Sequence, residues 1–563
     1  HLLDGPDRGA RAVRALRPVG AGAVSGAAVV IIPVLMTLLL AADSNRSFID
    51  YEGAGRGSLH PSSLLTAFVA NLFGTDGEFK EFWGAPSPLW GPVDLYVARN
   101  MSNIYSGAAV ILAVVFGFAG GGALQRGGRF FAIALVAMLL YTLGRYTPFF
   151  GIAYAVIPGV DFFRRPADGT FLIGALAAFV AGYVVHLVAN RQSALISRPG
   201  GRTIAVVVAA VLSAVALAIA KGRLHYAWPM IAEGAAWLAL AMVALHAFRT
   251  FALTRPLLAA LAIGGVLLAD LTRNNGPNES TALPPAMFEA LKPDSRDETV
   301  LRLKQLTAAS RASDRIDRVE LAAIDFHWPN ASLVHNLHNT LGYNPLRDRL
   351  YSAAIGAGDH VALPDQRTFP PSFPTYATPL ANLLGLRYVA TGVPLDKLDR
   401  NAPPGALTEV ARNRSAIIYE NPQALPRVLF VTQAQLADFQ AILRSGQWPN
   451  TDFRRTMLVE AMPAGAPRLA QPRPGRASIT KYTNTDVRIE VDSPDGGFLV
   501  LNDPWHPWWY AHVNGSVTKT YRANLLFRAV VLPPGRHEVA FLFRPHYGLI
   551  ASLTDKLSGR ETR

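Results

Sequence analysis

Residues 20–41, "GAGAVSGAAVVIIPVLMTLLLA", form an unbroken apolar run. A helix of roughly 20 such residues is what a hydrocarbon layer demands. Comparable windows stand at 105–124, 129–145, 170–189, 203–220, 228–248 and 255–271. Seven membrane spans are therefore expected within the first 271 residues. Half of the chain is hydrophobic and its mean hydropathy is +0.22, too apolar for an ordinary water-soluble protein of this length.

The charges between these windows alternate. Arg8, Arg11, Arg14 and Arg17 precede the first window. Arg126 and Arg129 separate the second and third, Arg191, Arg198 and Arg202 the fourth and fifth, and Arg249 and Arg255 the sixth and seventh. The positive-inside rule places all of these in the cytoplasm. Residues 42–104, 146–169, the "KGRLHYAWP" turn and everything after 271 then face outward. Lys221 and Arg223 are minor exceptions, and Arg164 and Arg165 are larger ones. The formal net charge of +13 is spread over these flanking arginines rather than gathered in a basic block, so no nucleic-acid partner is expected. The absence of cysteine excludes disulfides, thiolate metal sites and cysteine catalysis. No cleavable signal peptide is evident at the start, which is His1.

After residue 271 the character changes. Residues 272–284 read as a polar linker, and 285–445 as an extracytoplasmic α/β domain with helical ("DETVLRLKQLTAASRAS") and strand ("LRYVATG", "RVLFVT") patterns. Residues 446–475 read as a second linker. Residues 476–545 alternate apolar and polar positions between turn signals, which suggests an antiparallel β-sandwich. Residues 546–563 form a tail too short to cross. The expected fold is an α-helical multi-pass membrane bundle followed by these two outward domains, without internal repeats.

Four stretches carry candidate chemistry. "LGRYTPFFGIAYAVIPGVDFFRRPADG" puts Arg145, Tyr146, Arg164 and Arg165 at an outward boundary interrupted by prolines. A bland reading makes this an interfacial belt with snorkelling arginines. In the sharper one the guanidinium groups hold a lipid phosphate, while Asp161 or Asp168 orients them or meets a sugar hydroxyl. "NLFGTDGEFKEFWGAPSPLWGP" sets Asp76, Glu78 and Glu81 near Trp83 and Trp90, a pattern that suits either a saccharide or an amphipathic interfacial helix. "LNDPWHPWWYAHVNG" gathers Trp505, Trp508 and Trp509, as sandwich packing or as a sugar platform. His327, His335 and His338 permit a metal site, but packed or surface histidines are commoner and no metal is assigned. No G-x-S-x-G elbow marks a serine hydrolase.

"HPSSLLTAFVANLFG", "LGRYTPFFGIAYAVIPGVDFFRRPAD", "LHNTLGYNPL", "LLGLRYVATG" and above all "LVLNDPWHPWWYAHVNGSVTKTYRANLLFRAVVLPPGRHEVAFLFRP" resemble the YfhO-type family of bacterial multi-pass membrane proteins, relatives of GT-C glycosyltransferases. The resemblance implies a partial GT-C-like bundle in the cytoplasmic (inner) membrane with its N-terminus inside. It further implies transfer of a sugar from a polyprenyl-phosphate donor to a cell-envelope glycan or lipid acceptor, with membrane lipids as further partners and no cofactor beyond the lipid-linked sugar. Such an enzyme needs a carboxylate to accept the acceptor's proton, from among Asp161, Asp168, Asp76 and Glu78, and cations for the departing phosphate. Two departures stand out. Asp168 occupies a position where the family has Arg, and a final span is missing. The start at His1 leads to the expectation of an N-terminally truncated member whose catalytic acid lies upstream. The competing reading is a non-catalytic glycan-binding or glycan-export accessory protein. A secondary transporter is a weaker third, since Glu233 is the main mid-membrane charge.

Overall fold

The computed structural model describes residues 8–46, 48–75, 81–85, 87–91, 103–190, 200–275, 285–325, 328–344, 346–356, 361–466 and 472–558. The chain divides into two units, Phe48–Pro284 and a second comprising His1–Ser47 with Pro285–Arg563.

The helices through the first half are α1 (Arg8–Ala42), α2 (Tyr51–Ala54), α3 (Ala108–Ala119), α4 (Arg129–Thr142), α5 (Pro148–Val156), α6 (Thr170–Ala189), α7 (Gly200–Ala220), α8 (Leu224–Phe251) and α9 (Pro256–Asn274). Among the described residues, five stretches are long and apolar enough to cross a membrane: Val13–Ala42, Pro166–Ala189, Gly200–Ala220, Leu224–Phe251 and Pro256–Asn274. The other two expected spans are shorter than the sequence windows. The α3 helix has 12 residues and α4 has 14, rising roughly 18 and 21 Å against a hydrocarbon core of about 30 Å. Glycines set these limits. Gly107 enters α3 at φ +104° and Gly121 follows it at +75°, while Gly144 takes +52° just past α4. Left-handed backbone at those points stops a helix whatever the hydropathy.

In the unit Phe48–Pro284 the interior is lined with small side chains such as Ala108, Ala132, Ala214, Ala218, Ala227 and Ala241, whereas Phe130, Phe171, Leu257 and Leu268 point outward. That distribution, small inside and large apolar outside, is the one expected of helices packed in a lipid solvent. One buried carboxylate ties the helices: Asp270 of α9 accepts from the Ala108 N–H at 2.7 Å, capping α3, from the Tyr105 hydroxyl at 2.8 Å and from Asn274 Nδ2 at 2.8 Å.

In the other unit, none of the apolar window of α1 is buried within the protein. Its C-terminal end is fastened where Asn45 N–H donates to Arg347 O at 2.9 Å and Arg349 Nη2 to Ala42 O at 3.1 Å. Helix α10 (Glu298–Ala312) is capped by Asp297 and precedes a mixed sheet ordered β1–β2–β4–β3, formed by Arg318–Ala322, Leu386–Thr391, Ile417–Glu420 and Thr408–Arg412 in that spatial order. Two sheets then face one another. One is β13 (Tyr521–Ala523), β14 (Phe527–Leu532), β10 (Gly497–Pro504) and β5 (Val428–Val431). The other is β12 (Ser516–Thr518), β11 (Trp509–Val513), β15 (Gly535–Phe543), β9 (Asp486–Ser493) and β8 (Arg476–Tyr482). Strand β9 alternates as expected of a half-buried strand, with Val487, Ile489 and Val491 inward.

The boundaries differ from the sequence reading. Residues 446–475 are more than a linker, for they contain β7 (Thr456–Val459), paired in parallel with β6 (Gln433–Leu436), and Phe453 in the core. The sandwich extends back to β5, which pairs antiparallel with β10. Strand β10 is buried on both faces: Leu499 and Leu501 enter the sandwich core, Phe498 and Val500 the core shared with the α/β region. A strand that serves two cores leaves no seam at residue 476. The expected C-terminal tail begins with a helix, Pro545–Leu557.

Candidate functional site

The segments around Arg145 and Arg165 fold against the loop at residues 56–59. The Arg165 N–H donates to Arg56 O at 2.8 Å, Ala167 N–H to Gly57 O at 3.2 Å, Arg145 N–H to Ser58 Oγ at 3.0 Å and Leu59 N–H to Thr142 O at 2.8 Å. The fit is close enough to require glycine. At Gly144 a Cβ would sit 2.0 Å from Ser58 Oγ, and at Gly57 (φ +71°) it would sit 2.8 Å from Arg165 Cγ. Arg165 itself adopts φ +69°, a strained conformation for a side-chain-bearing residue. Residues 55–60, 144–146 and 165–167 thus form one interlocked platform.

His60 stands at its centre. The following Pro61–Ala67 turn is a 3₁₀ helix with Pro at its start, and His60 Nδ1 accepts from the Ser62 N–H at 3.2 Å. With Nδ1 used as an acceptor, the neutral ring carries its proton on Nε2. The imidazole lies 4.6 Å from the Trp90 ring and 5.1 Å from Tyr146, both edge-on. Lys221 Nζ lies 4.0 Å over the centre of Trp90 and reaches Leu89 O at 3.4 Å. Burial, then Lys221, then Arg145 lower the His60 pKa from its usual value, so the ring is uncharged at neutral pH. Two cations, two aromatic rings and a neutral imidazole are therefore gathered on one short surface.

An apolar groove of about 380 Å³ is lined by Leu64, Phe68, Val110, Val114, Leu135 and Leu139 among others, and none of the cluster's own side chains lines it. Leu64 is one turn beyond His60, and Leu139 is in α4, six residues before Arg145.

The other expected residues are placed as follows. Asp168 is exposed and pairs with Arg165 at 3.3 Å. Asp161 is half-buried, and its carbonyl accepts from Ile49 N–H at 3.1 Å. Arg164 is half-buried in the same segment. Asp76 and Glu78 lie outside the described residues. Trp83 is a core side chain, 1% exposed and edge-on to Phe73 at 4.7 Å, so its faces are closed to a sugar. Its carbonyl positions Trp90 by accepting the indole N–H at 2.7 Å.

The sandwich tryptophans belong to the other unit. The Arg528 guanidinium covers Trp509 at 3.8 Å. Trp508 donates to Ser552 Oγ at 3.1 Å and lies beneath Gly548, where a Cβ would come within 2.2 Å. Trp505 is half-buried, its N–H bound to Leu526 O at 2.7 Å. Their packing role is thus apparent for Trp508 and Trp509. Among the described residues no group of three His, Asp or Glu could hold a metal ion. His335 bonds Ala290 O at 2.7 Å, His338 lies against Tyr482, and His327 is outside the described residues.

No family model, no curated protein and no solved structure matches the chain. The site is judged on its geometry.

His60 and Lys221 were missed by the sequence reading. Each had a signal. Lys221 breaks the charge alternation just as Arg164 and Arg165 do, and "LHPSS" has a capping residue before Pro.

Proposed function

We propose that the protein is a membrane glycosyltransferase of YfhO-like, GT-C-like type. It moves a sugar from a polyprenyl-phosphate donor to an envelope glycan or lipid acceptor on the outer side of the cytoplasmic membrane. The observation that carries this reading is the cluster of Arg145, Lys221 and His60 with Trp90 and Tyr146, together with an apolar groove lined in part by Leu64 of the turn that follows His60 and by Leu139 of α4. A lipid-linked phosphosugar has three parts, and the residues offer a counterpart to each. The groove suits the prenyl chain, the cations suit the phosphate, and the aromatic rings suit the sugar's C–H faces.

Departure of the sugar turns a phosphodiester monoanion into a phosphomonoester with a second negative charge. Cations beside that oxygen stabilise the transition state more than the ground state, which is what catalysis requires. The His60 Nε2–H adds a neutral donor to the same oxygens. Arg165 supports the platform, with its guanidinium held toward Asp168. The proton of the acceptor hydroxyl goes to a carboxylate, for which Asp161, Asp168, Asp76 and Glu78 remain the candidates.

The test is transfer of radiolabelled sugar from polyprenyl-phosphate-sugar to envelope acceptor, in membranes carrying the full-length gene. Arg145→Gln and Lys221→Gln are expected to lower kcat/KM by roughly 10–100-fold each, on the scale of one charge-assisted hydrogen bond. Trp90→Ala is expected to act chiefly on KM. Unchanged transfer in an Arg145→Gln/Lys221→Gln double variant would rule the site out. If no sugar is transferred from any donor, the non-catalytic glycan-binding role takes precedence.

A further inference from the structure

The C-terminal unit buries an unbalanced charge cluster that no part of the proposed transfer uses. Asp503 of β10 meets three guanidinium groups: Arg318 Nη2 at 2.7 Å, Arg427 Nη1 at 2.8 Å and Arg528 Nη2 at 3.4 Å. The Tyr482 hydroxyl donates to the same carboxylate at 2.9 Å. All three arginines are at most 6% exposed. Burial alone would raise the Asp503 pKa, but Arg427, Arg318 and Arg528 hold it well below the usual carboxylate range. One carboxylate against three cations leaves an excess of two positive charges in a region where burial makes an uncompensated charge costly.

A polar cleft of about 370 Å³ lies against this cluster, lined by Arg311, Ile316, Asn336, His338, Tyr482 and Asn484 among others. Two of its walls touch Arg427 directly. Arg427 Nε donates to Ile316 O at 3.2 Å, and its guanidinium carbon lies 5.4 Å from the centre of the Tyr482 ring. Arg427 Nη2 is buried and has no hydrogen-bond partner among the described residues. His338 stands 5.5 Å from the Tyr482 ring. Burial, followed by Arg427, Arg318 and Arg311, pulls its pKa down to about 4, with Asp503 opposing. The cleft is thus a positive field around an uncharged imidazole, with amide groups at Asn336 and Asn484 and a further cation at Arg315, itself paired with Asp317 at 2.8 Å.

We propose that this cleft binds an oxyanion, the carboxylate or phosphate of a hydroxylated ligand of the sugar-acid or sugar-phosphate class. Arg311, exposed at the rim and donating to Asn336 O at 3.2 Å, meets the anion first. Arg427 and Arg318 act from behind the wall through their field. The Asn336 and Asn484 amides and the Tyr482 ring suit hydroxyls and C–H faces. The Asp314 carboxylate at the rim is engaged by the Ser478 hydroxyl at 2.7 Å, and it disfavours highly charged anions. An anion in the cleft offsets the excess charge, raises the His338 pKa and so binds with proton uptake. The proposal is independent of the site in the helical unit.

Calorimetric titration of the full chain in nanodiscs with glucuronate, inorganic phosphate and glucose, at pH 5 and pH 7, tests it. At least one anion is expected to bind saturably, more tightly at pH 5, and glucose not at all. Binding of glucuronate alone identifies a carboxylate ligand, and of phosphate alone a phosphate ligand. Arg311→Gln should weaken binding about tenfold, the loss of one charged donor, and His338→Gln should remove the proton uptake. Arg473→Gln, on a distant surface pair with Asp495, should change neither. The absence of saturable heat from either anion, in a chain whose thermal unfolding is normal, would overturn the proposal. So would equal weakening by Arg311→Gln and Arg473→Gln.

Discussion

The helical unit Phe48–Pro284 and the C-terminal region Pro285–Arg563 distribute the same twenty side chains differently. The region Pro285–Arg563 hides Phe373, Phe439, Phe498, Phe527 and Phe541 in its core. The helical unit packs its long helices at alanines such as Ala108, Ala132, Ala214, Ala218, Ala227 and Ala241, keeps large core residues such as Phe73, Trp83 and Phe150 elsewhere, and exposes many Phe, Leu and Val. Their treatment of charge differs equally. In the C-terminal unit Asp317, Arg318, Glu320, Arg367, Asp399, Arg427, Asp503 and Arg528 are all buried. Among the described residues of the helical unit, Asp270 is the buried charged side chain. The difference teaches where cooperativity comes from. A water-solvated fold can afford a buried ionic lock because large apolar burial surrounds it. A lipid-solvated bundle has little hydrophobic drive between its helices, so close approach at small residues and a few satisfied polar groups hold it.

Substitution at Asp503 and at Asp270 breaks this comparison most sharply. Asp503→Ala strands three buried guanidinium groups and should cost roughly 3–5 kcal/mol, read as loss of protease resistance and thermal unfolding of the C-terminal unit. A variant that melts like the wild type would show that the cluster is solvated rather than locked.

Acid probes the same lock more gently. In the folded protein His338 titrates at about 4, below its ordinary 6.5, because of burial and of Arg427, Arg318 and Arg311, with Asp503 opposing. Between those values the unfolded chain binds the proton and the folded one does not. Stability therefore falls as pH drops from about 6.5 to about 4, by up to about 3 kcal/mol at 1.36 kcal/mol per pH unit. Denaturant melts of the wild type against His338→Gln should show this slope only in the wild type, and an equal slope in both would assign it elsewhere.

Asp270→Ala sharpens the contrast from the other side. It removes the α3 cap and the Tyr105 bond, yet the expected loss is only about 1–2 kcal/mol, because the unfolded chain in a membrane-like solvent also finds partners. Detergent titration of the helical unit's unfolding measures it. A loss as large as that of Asp503→Ala would contradict the distinction drawn here.

Legibility in the sequence followed the same division. The long apolar helices were readable because length and hydropathy are carried by one continuous segment, as at 170–189 and 203–220. Their shortened neighbours were not, because one glycine conformation at Gly121 or Gly144 outweighs the hydropathy of a window. The alternation of β9 was visible, whereas the pairing of β5 with β10 was not, since strand partners are chosen by tertiary packing. At the site, Arg145, Tyr146 and Trp90 were legible as residue types at an outward boundary. Their meeting with His60 and Lys221 depends on folding of segments some 30 to 160 residues apart in sequence. Trp83 misled for the converse reason, since an indole suited to a sugar is equally suited to a core.

Binding of polyprenyl phosphate by the full chain in nanodiscs, compared with the uncharged polyprenol, tests the central claim most directly. The proposed site predicts phosphate-dependent binding that weakens at least tenfold in Arg145→Gln and in Lys221→Gln, on the scale of a lost charge-assisted contact, and is unchanged in Arg126→Gln. Equal binding of phosphate and alcohol, or undiminished binding in both variants, would contradict it.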